Sequence, residues 1–367
     1  MNILYLIGNG FDLNLGLKTK FSNIAEKIIE EKTDDPDIKK LKKNIKRNKD
    51  LWWSDFELQF GEYTESFSSE TINSYDNQYN YIVKIIKELF EIQENLIDYD
   101  NNMNNIAKSF MKYLTTFYDY LPPTDKQIIL DSMNKMDVNE NLFYDFITFN
   151  YTSVLDNFIK YSSLMYGDKQ YSTQIPTTTP RNVKHLIGKI IHLHGTLADG
   201  LILGVDNEEQ IKNKQLAKNN AFIHKIVKLE IIKILGLNCA VEARKLINNS
   251  NIIIAFGLSI GLTDKYWWNY IFEWLVKDKN RHFIVFIFND KINSMLNIIK
   301  VDTIEKFKDK LVLILDNPLQ KKYEIIKENI HIIYEQRDMF KIKNIFYPAN
   351  FNNKKINVCP ISWTFLF

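Results

Sequence analysis

Two residues carry the chemistry most plainly in this chain. Asn150 closes the apolar run 146–149, and His194 closes the run 189–193. Histidine is the side chain most easily poised as a base near neutral pH. Asparagine offers both a donor and an acceptor, suited to orienting a water or a sugar hydroxyl. A third feature stands at the N-terminus, where Ile3–Ile7 is followed from Gly8 to Leu17 by G-N-G-F-D-L-N-L-G-L. Gly8 and Gly10 lack a Cβ, which permits a tight turn and close approach of the backbone to a ligand. A helix starting near Asp12 would aim its free amides into that turn, where they favour a phosphate. The full G-x-G-x-x-G fingerprint is not met, because Leu13 stands at the third glycine position, so a strand-to-helix turn without ligand stays open on these residues alone. His192 precedes His194 by two residues and is expected to point the same way. It is read as a packing partner. No third ligand at usable spacing accompanies this pair, so no metal is expected.

The elements that must position these residues follow from patterning. Short apolar runs at 3–7, 146–149, 189–193, 201–205, 251–256 and 282–288 read as strands buried on both faces. The last two flank a Trp- and Tyr-rich stretch of helical length, from Asp264 to Trp274, which makes one parallel βαβ unit. In open parallel sheets, ligands sit beyond the C-terminal strand ends; Asn150, His194 and the glycine loop all fall there, so one shared crevice is expected. Between about Ser22 and Tyr144 the apolar spacing is helical, predicting four or five helices inserted after the first βα unit. An insertion at that point is expected to cap the crevice, with Trp53, Asp55 and Glu57 facing it; the alternative for Asp55 is a helix cap. Asp264 is read as a helix cap, and Asp206 carries the same ambiguity. The segment 222–246 reads as one or two helices. Beyond it, 311–315 reads as an edge strand and 321–329 as a helix.

The spacing of these motifs resembles two families. Gly8, Gly10, Gly16 and Leu17 match the offsets of the sirtuin glycine loop. Thr148-Phe149-Asn150-Tyr151 resembles the sirtuin T-Q-N-I, His194-Gly195-Thr196-Leu197 its H-G-S-L, and Gly257-Leu258-Ser259 its G-T-S. Phe288-Asn289 resembles its final strand ending in Asn. The closer resemblance is to the bacterial abortive-infection AbiH family, through the stretch Gly8 to Phe21, Trp53-Ser54-Asp55-Phe56-Glu57, Phe149-Asn150-Tyr151-Thr152, His192-Leu193-His194-Gly195, and Phe256-Gly257-Leu258-Ser259 followed by Thr263-Asp264.

The resemblance implies an α/β fold, a Rossmann-like parallel sheet of sirtuin-like type with a large all-helical insertion. The expected core is 1–24 and 145–316, the insertion or lid 25–144, and a C-terminal extension 317–367. It further implies an antiphage effector that takes NAD as substrate and hydrolyses its nicotinamide N-glycosidic bond, with His194 and Asn150 catalytic. Gly8, Asn9, Gly10, Asp12, Thr148, Gly195, Gly257, Ser259 and Asn289 would bind the cofactor. Two departures from the sirtuin pattern stand out: the loop serine is Asp12, and the acid after the Asn-Ile pair is Thr152. A nucleotide-sensing module without catalysis, and a metal-dependent nuclease built on Asp12, Asp55, Glu57 and Asp206, are the competing readings.

Bulk properties narrow the field. Hydrophobic content of 45%, with 24 Phe and 19 Tyr, supports a sizeable core. The net charge of +2 implies no polyanion partner, and the basic run from Lys39 to Lys49 reads as a solvated helix face rather than a nucleic-acid site. Two isolated cysteines, Cys239 and Cys359, build neither a disulfide framework nor the four-cysteine zinc module of sirtuin deacylases. No membrane span or secretory signal is legible, so a cytoplasmic protein is expected. The expected partners are a nucleotide ligand and a phage-derived trigger, with homo-oligomerisation left open.

Overall fold

The structure is a computed structural model that describes residues 1–68, 70–135, 140–167, 171–176, 181–288, 297–334, 339–342 and 344–347. Its frame is a seven-stranded sheet of β1 (Asn2–Ile7), β2 (Leu142–Thr148), β3 (Ser172–Ile175), β4 (Arg181–His192), β7 (Ile252–Phe256), β8 (His282–Ile287) and β9 (Ile330–Tyr334); β5 (Gly195–Thr196) and β6 (Gly200–Leu201) form a separate two-residue hairpin. The order across the sheet is β3-β4-β2-β1-β7-β8-β9. All pairings are parallel except the edge strand β3, which runs antiparallel to β4. Counting only the parallel strands, the order is the 3-2-1-4-5-6 of doubly wound dinucleotide-binding sheets, whose order reverses at β1 and β7.

Both faces of the sheet are covered, which is why its strands carry unbroken apolar runs. Along β1, Ile3, Tyr5 and Ile7 enter one cluster with Phe110, Phe146, Phe158 and Phe256. Leu4 and Leu6 enter the opposite one with Trp267, Trp268 and Phe272. A third cluster is built by the inserted helices Phe21–Glu30, Pro36–Arg47, Lys49–Ser54, Phe56–Tyr63 and Ile72–Glu94, which close on Leu203, Val205 and Phe222. Residues from Tyr99–Thr115 and Pro123–Asn134 join the first cluster instead. The expected single insertion therefore divides by packing: its first part builds the third core, and its last two helices cover the sheet.

Several sequence expectations need correction. The expected edge strand at 311–315 is the end of the helix Asn297–Ile314, and the outer strand is β9 at Ile330–Tyr334. The expected C-terminal extension thus supplies a strand of the core sheet. Apolar runs of this length do not distinguish a strand from a buried helix end. The run 201–205 leaves the ladder after Leu201, since Val205 makes only an isolated bridge to Val227. Among the described residues, no helix is long and apolar enough to cross a membrane.

Candidate functional site

At the C-terminal edge of β1 and β7, three glycines let two turns touch. A Cβ on Gly8 would come 2.5 Å from the Gly257 carbonyl oxygen, and one on Gly10 would come 2.4 Å from the Gly257 Cα. Gly257 holds φ at +69°, in the left-handed region where glycine costs least. The turn amides are spent on backbone: Gly8 N–H donates to Phe256 O at 3.0 Å, and Gly10 N–H to Gly257 O at 2.8 Å. These contacts account for Gly8, Gly10 and Gly257 without a ligand. Asn9 exchanges hydrogen bonds with Thr19, donating to its carbonyl at 2.7 Å and accepting from its hydroxyl at 2.5 Å, which ties the loop to the chain beyond the short helix Gly10–Leu15.

Asp12 lies on that short helix, 1% exposed. Its Oδ2 accepts from the Thr152 hydroxyl at 2.7 Å, and its Oδ1 from Asn150 Nδ2 at 3.2 Å. The two departures from the sirtuin pattern are thus bonded to each other, acid and hydroxyl having traded places. Burial raises the Asp12 carboxyl to about 7, with Glu94 adding to the rise and the bonds from Thr152 and Asn150 opposing it. Asn150, 5% exposed, is set by its own backbone N–H donating to the buried Thr148 hydroxyl at 3.1 Å. Its carboxamide oxygen is buried without a hydrogen-bond partner.

His194 stands just beyond β4. Gly195, at φ +73°, starts the β5–β6 hairpin so closely that a Cβ there would meet the Gly200 oxygen at 2.0 Å, and Ile202 N–H donates back to the His194 carbonyl at 2.7 Å. The His194 ring is held edge-on by Phe149 at 5.3 Å and beside Tyr151 at 6.2 Å. Its Nε2 lies 3.2 Å from Asp264 Oδ1, in an ion pair rather than an aligned hydrogen bond.

Behind His194 lies a buried charge network. Lys228 Nζ donates to Asp264 Oδ1 at 2.8 Å and to Glu57 Oε2 at 2.9 Å, and the Tyr151 hydroxyl donates to Glu57 Oε1 at 3.2 Å. Burial alone would neutralise these groups; the Lys228 charge, with His194, instead leaves the Asp264 carboxyl well below its usual range. Burial likewise opposes charge on Lys228, and Asp264 and Glu57 overcome it, raising its ammonium well above the usual value. Glu57 comes from the helix Phe56–Tyr63, so the inserted helices contribute to this network. Asp55 caps that helix, accepting from Leu58 N–H at 2.9 Å, and burial raises its carboxyl to about 6.

Other expectations resolve differently. Asp264 makes no capping bond to the helix Lys265–Lys277; Asp206 does so from another segment, accepting from Tyr266 N–H at 3.1 Å. His192 ends the strand and turns its Nε2 to the Asp156 carboxylate at 3.1 Å. Strand alternation does not carry on to His194, because the chain bends at Leu193. Ser259 is exposed, and no hydrogen bond joins it to the cluster. Asn289 and the side chain of Trp53 lie outside the described residues. The structure therefore brings together Asp12, Thr148, Asn150 and, through Tyr151, His194. Lys228 was missed by sequence reasoning; its one signal is a lysine set between Val227 and Leu229 inside an apolar helical stretch.

The family model described as bacteriophage abortive infection AbiH matches residues 4–286. The chain belongs to that family. The match runs from β1 to β8 and takes in Asp12, Glu57, Asn150, His194, Lys228 and Asp264, so the AbiH segment contains the whole cluster. No curated protein matches the chain.

Proposed function

We propose that this AbiH-family protein is an abortive-infection effector that binds NAD at the C-terminal edge of its sheet and hydrolyses the bond between ribose and nicotinamide. The observation that carries this reading is Asn150 Oδ1, buried and without a hydrogen-bond partner among the described residues, on a residue that with His194 matches the sirtuin motif. Leaving a buried polar group unpaired costs about 1–3 kcal/mol, which a ligand hydroxyl or water on Asn150 Oδ1 would recover. Support also comes from the strand order, which puts the cluster beside the switch point where dinucleotides bind.

In this reaction the C1′–N1 bond breaks, and its electron pair leaves with the nicotinamide nitrogen, which turns from a pyridinium into a neutral ring. A water oxygen bonds to C1′ and gives its proton to the His194 ring nitrogen that does not face Asp264, and Asn150 Oδ1 holds that water or a ribose hydroxyl. The products are ADP-ribose, nicotinamide and a proton. Positive charge gathers on the sugar as the bond breaks, and the acceptor oxygen of Asn150 suits that charge. The acids that a nuclease would need around a metal are spent elsewhere: Asp12 on Thr152 and Asn150, Asp55 on a helix cap, Glu57 on Lys228, and Asp206 on Tyr266. Incubation of the purified protein with NAD, followed by chromatography for free nicotinamide, tests the reading. Release by wild type and not by His194→Ala supports it; equal traces from both reject it.

A further inference from the structure

Asn150 can present either end of its carboxamide to a ligand, and the two ends recognise opposite chemistry. Asp12 decides between them. Ionised, as it is above about pH 7, the Asp12 carboxylate only accepts hydrogen bonds, so the amide then turns its Nδ2 toward Asp12 Oδ1, at 3.2 Å. The reverse orientation would set two acceptor oxygens against each other in a buried place. The carboxylate itself is held, because the Thr152 hydroxyl donates to Oδ2 at 2.7 Å. What remains is Asn150 Oδ1, buried and without a partner.

We infer that Asp12 is a positioning residue, locked by Thr152, that fixes the carboxamide of Asn150 with its oxygen toward the ligand. The surroundings then define what that oxygen receives. Asp12 is buried beside it, and Glu94 is close enough to act on the Asp12 carboxyl. An acceptor backed by carboxylates repels phosphate and attracts a hydroxyl, a water or an electron-poor carbon. Asp12 therefore serves the sugar end of a dinucleotide, not its diphosphate. This also explains the exchange of residue types between the glycine loop and the Asn motif: the acid sits at position 12 and the hydroxyl at position 152, and their contact is kept. The catalytic meaning of this orientation rests on the proposed NAD hydrolysis, whereas the orientation itself does not.

The experiment uses the full chain in two arms. The first is nuclear magnetic resonance of protein labelled with ¹⁵N-asparagine, with the Asn150 side-chain amide assigned by its loss in Asn150→Ala. In wild type this amide pair is protected from exchange with water. In Asp12→Asn it shifts, and its exchange quickens about tenfold or more; in Thr152→Val, which keeps the carboxylate but frees it, the change is smaller. The second arm measures nicotinamide release. Asp12→Asn lowers kcat about 100-fold with KM within about threefold, the loss expected when a reacting group is misplaced, and its melting temperature does not fall. An Asn150 amide unchanged in a folded Asp12→Asn protein overturns the inference, as does a loss of kcat matched by a loss of stability. If Asp12→Asn does not fold, Thr152→Val decides: an unchanged amide there also overturns it. Were wild type to release no nicotinamide, the NAD reading would fail while the first arm still decided the orientation.

Discussion

Two buried histidines belong to the same stretch of chain, and they are treated in opposite ways. His185, near the start of β4, is 3% exposed, and both ring nitrogens are engaged: Nδ1 with the Tyr144 hydroxyl at 2.7 Å and Nε2 with the Thr173 hydroxyl at 2.8 Å. His194, just past the strand's other end, is 5% exposed, and its Nε2 faces the Asp264 carboxylate at 3.2 Å. Burial is alike; the partners are not. A histidine whose bonds are complete holds a structure together. One set against a carboxylate that a buried lysine already fixes sits in a charged setting instead. The contrast extends to the charges behind each ring, since His185 has only hydroxyls and His194 has the network of Lys228, Asp264 and Glu57.

The largest expected effect separates the two histidines by activity. His194→Ala and Asn150→Ala should each lower nicotinamide release about 100- to 10,000-fold, the usual worth of a positioned base, with melting temperatures close to wild type, and should abolish phage protection at normal expression. His185→Ala should leave release per folded molecule unchanged. Loss of activity in a folded His185→Ala protein would erase the contrast.

Next in size is the network behind His194. Lys228→Met leaves Glu57 and Asp264 buried without their cation, which should cost about 3–5 kcal/mol. Chemical denaturation would measure it, and a loss below about 1 kcal/mol would mean that water reaches both acids. His185→Ala should cost about 2–3 kcal/mol, because the Tyr144 and Thr173 hydroxyls lose their buried partner.

A smaller effect sharpens the comparison by pH. Burial lowers His185 to about 4, and burial together with His331 and Lys135 lowers His282 to about 4. Groups lowered from an ordinary 6.5 contribute stability that is complete above about 6.5 and lost as pH falls toward 4. Asp12 has the opposite sign. Raised from 3.8 to about 7, it contributes stability that is complete below about 3.8 and lost as pH rises through about 7. Denaturation midpoints from pH 4 to pH 8 should therefore flatten on the acid side in His185→Gln, and Asp12→Asn should gain on wild type toward pH 8. If Asp12→Asn ran parallel to wild type across that range, the Asp12 carboxyl would not be desolvated.

Much of this architecture is written in short-range pattern. Strands β1, β2, β7 and β8 are legible because a doubly wound sheet buries both faces, leaving unbroken apolar runs closed by Gly or Asn. Asn150 and His194 both close strands of the sheet at its C-terminal edge by the same rule. Less legible were elements whose identity depends on distant partners. The helix end at 311–314 and the strand Ile330–Tyr334 carry similar apolar content, and only the open edge of β8 selects the second as a strand. Asp206 and Asp264 each precede or face the same helix start, and Lys228 settles their roles by drawing Asp264 away. Gly8 and Gly10 suggested space for a phosphate, whereas the space is taken by Gly257 from a segment far along the chain.

The most direct measurement is the fate of NAD incubated with the purified protein at neutral pH, compared among wild type, Asn150→Ala, His194→Ala and His185→Ala. The expected result is nicotinamide and ADP-ribose from wild type and His185→Ala, and none above background from the other two. Intact NAD in every sample, or equal release by the His194→Ala protein, would contradict hydrolysis at the edge of this sheet.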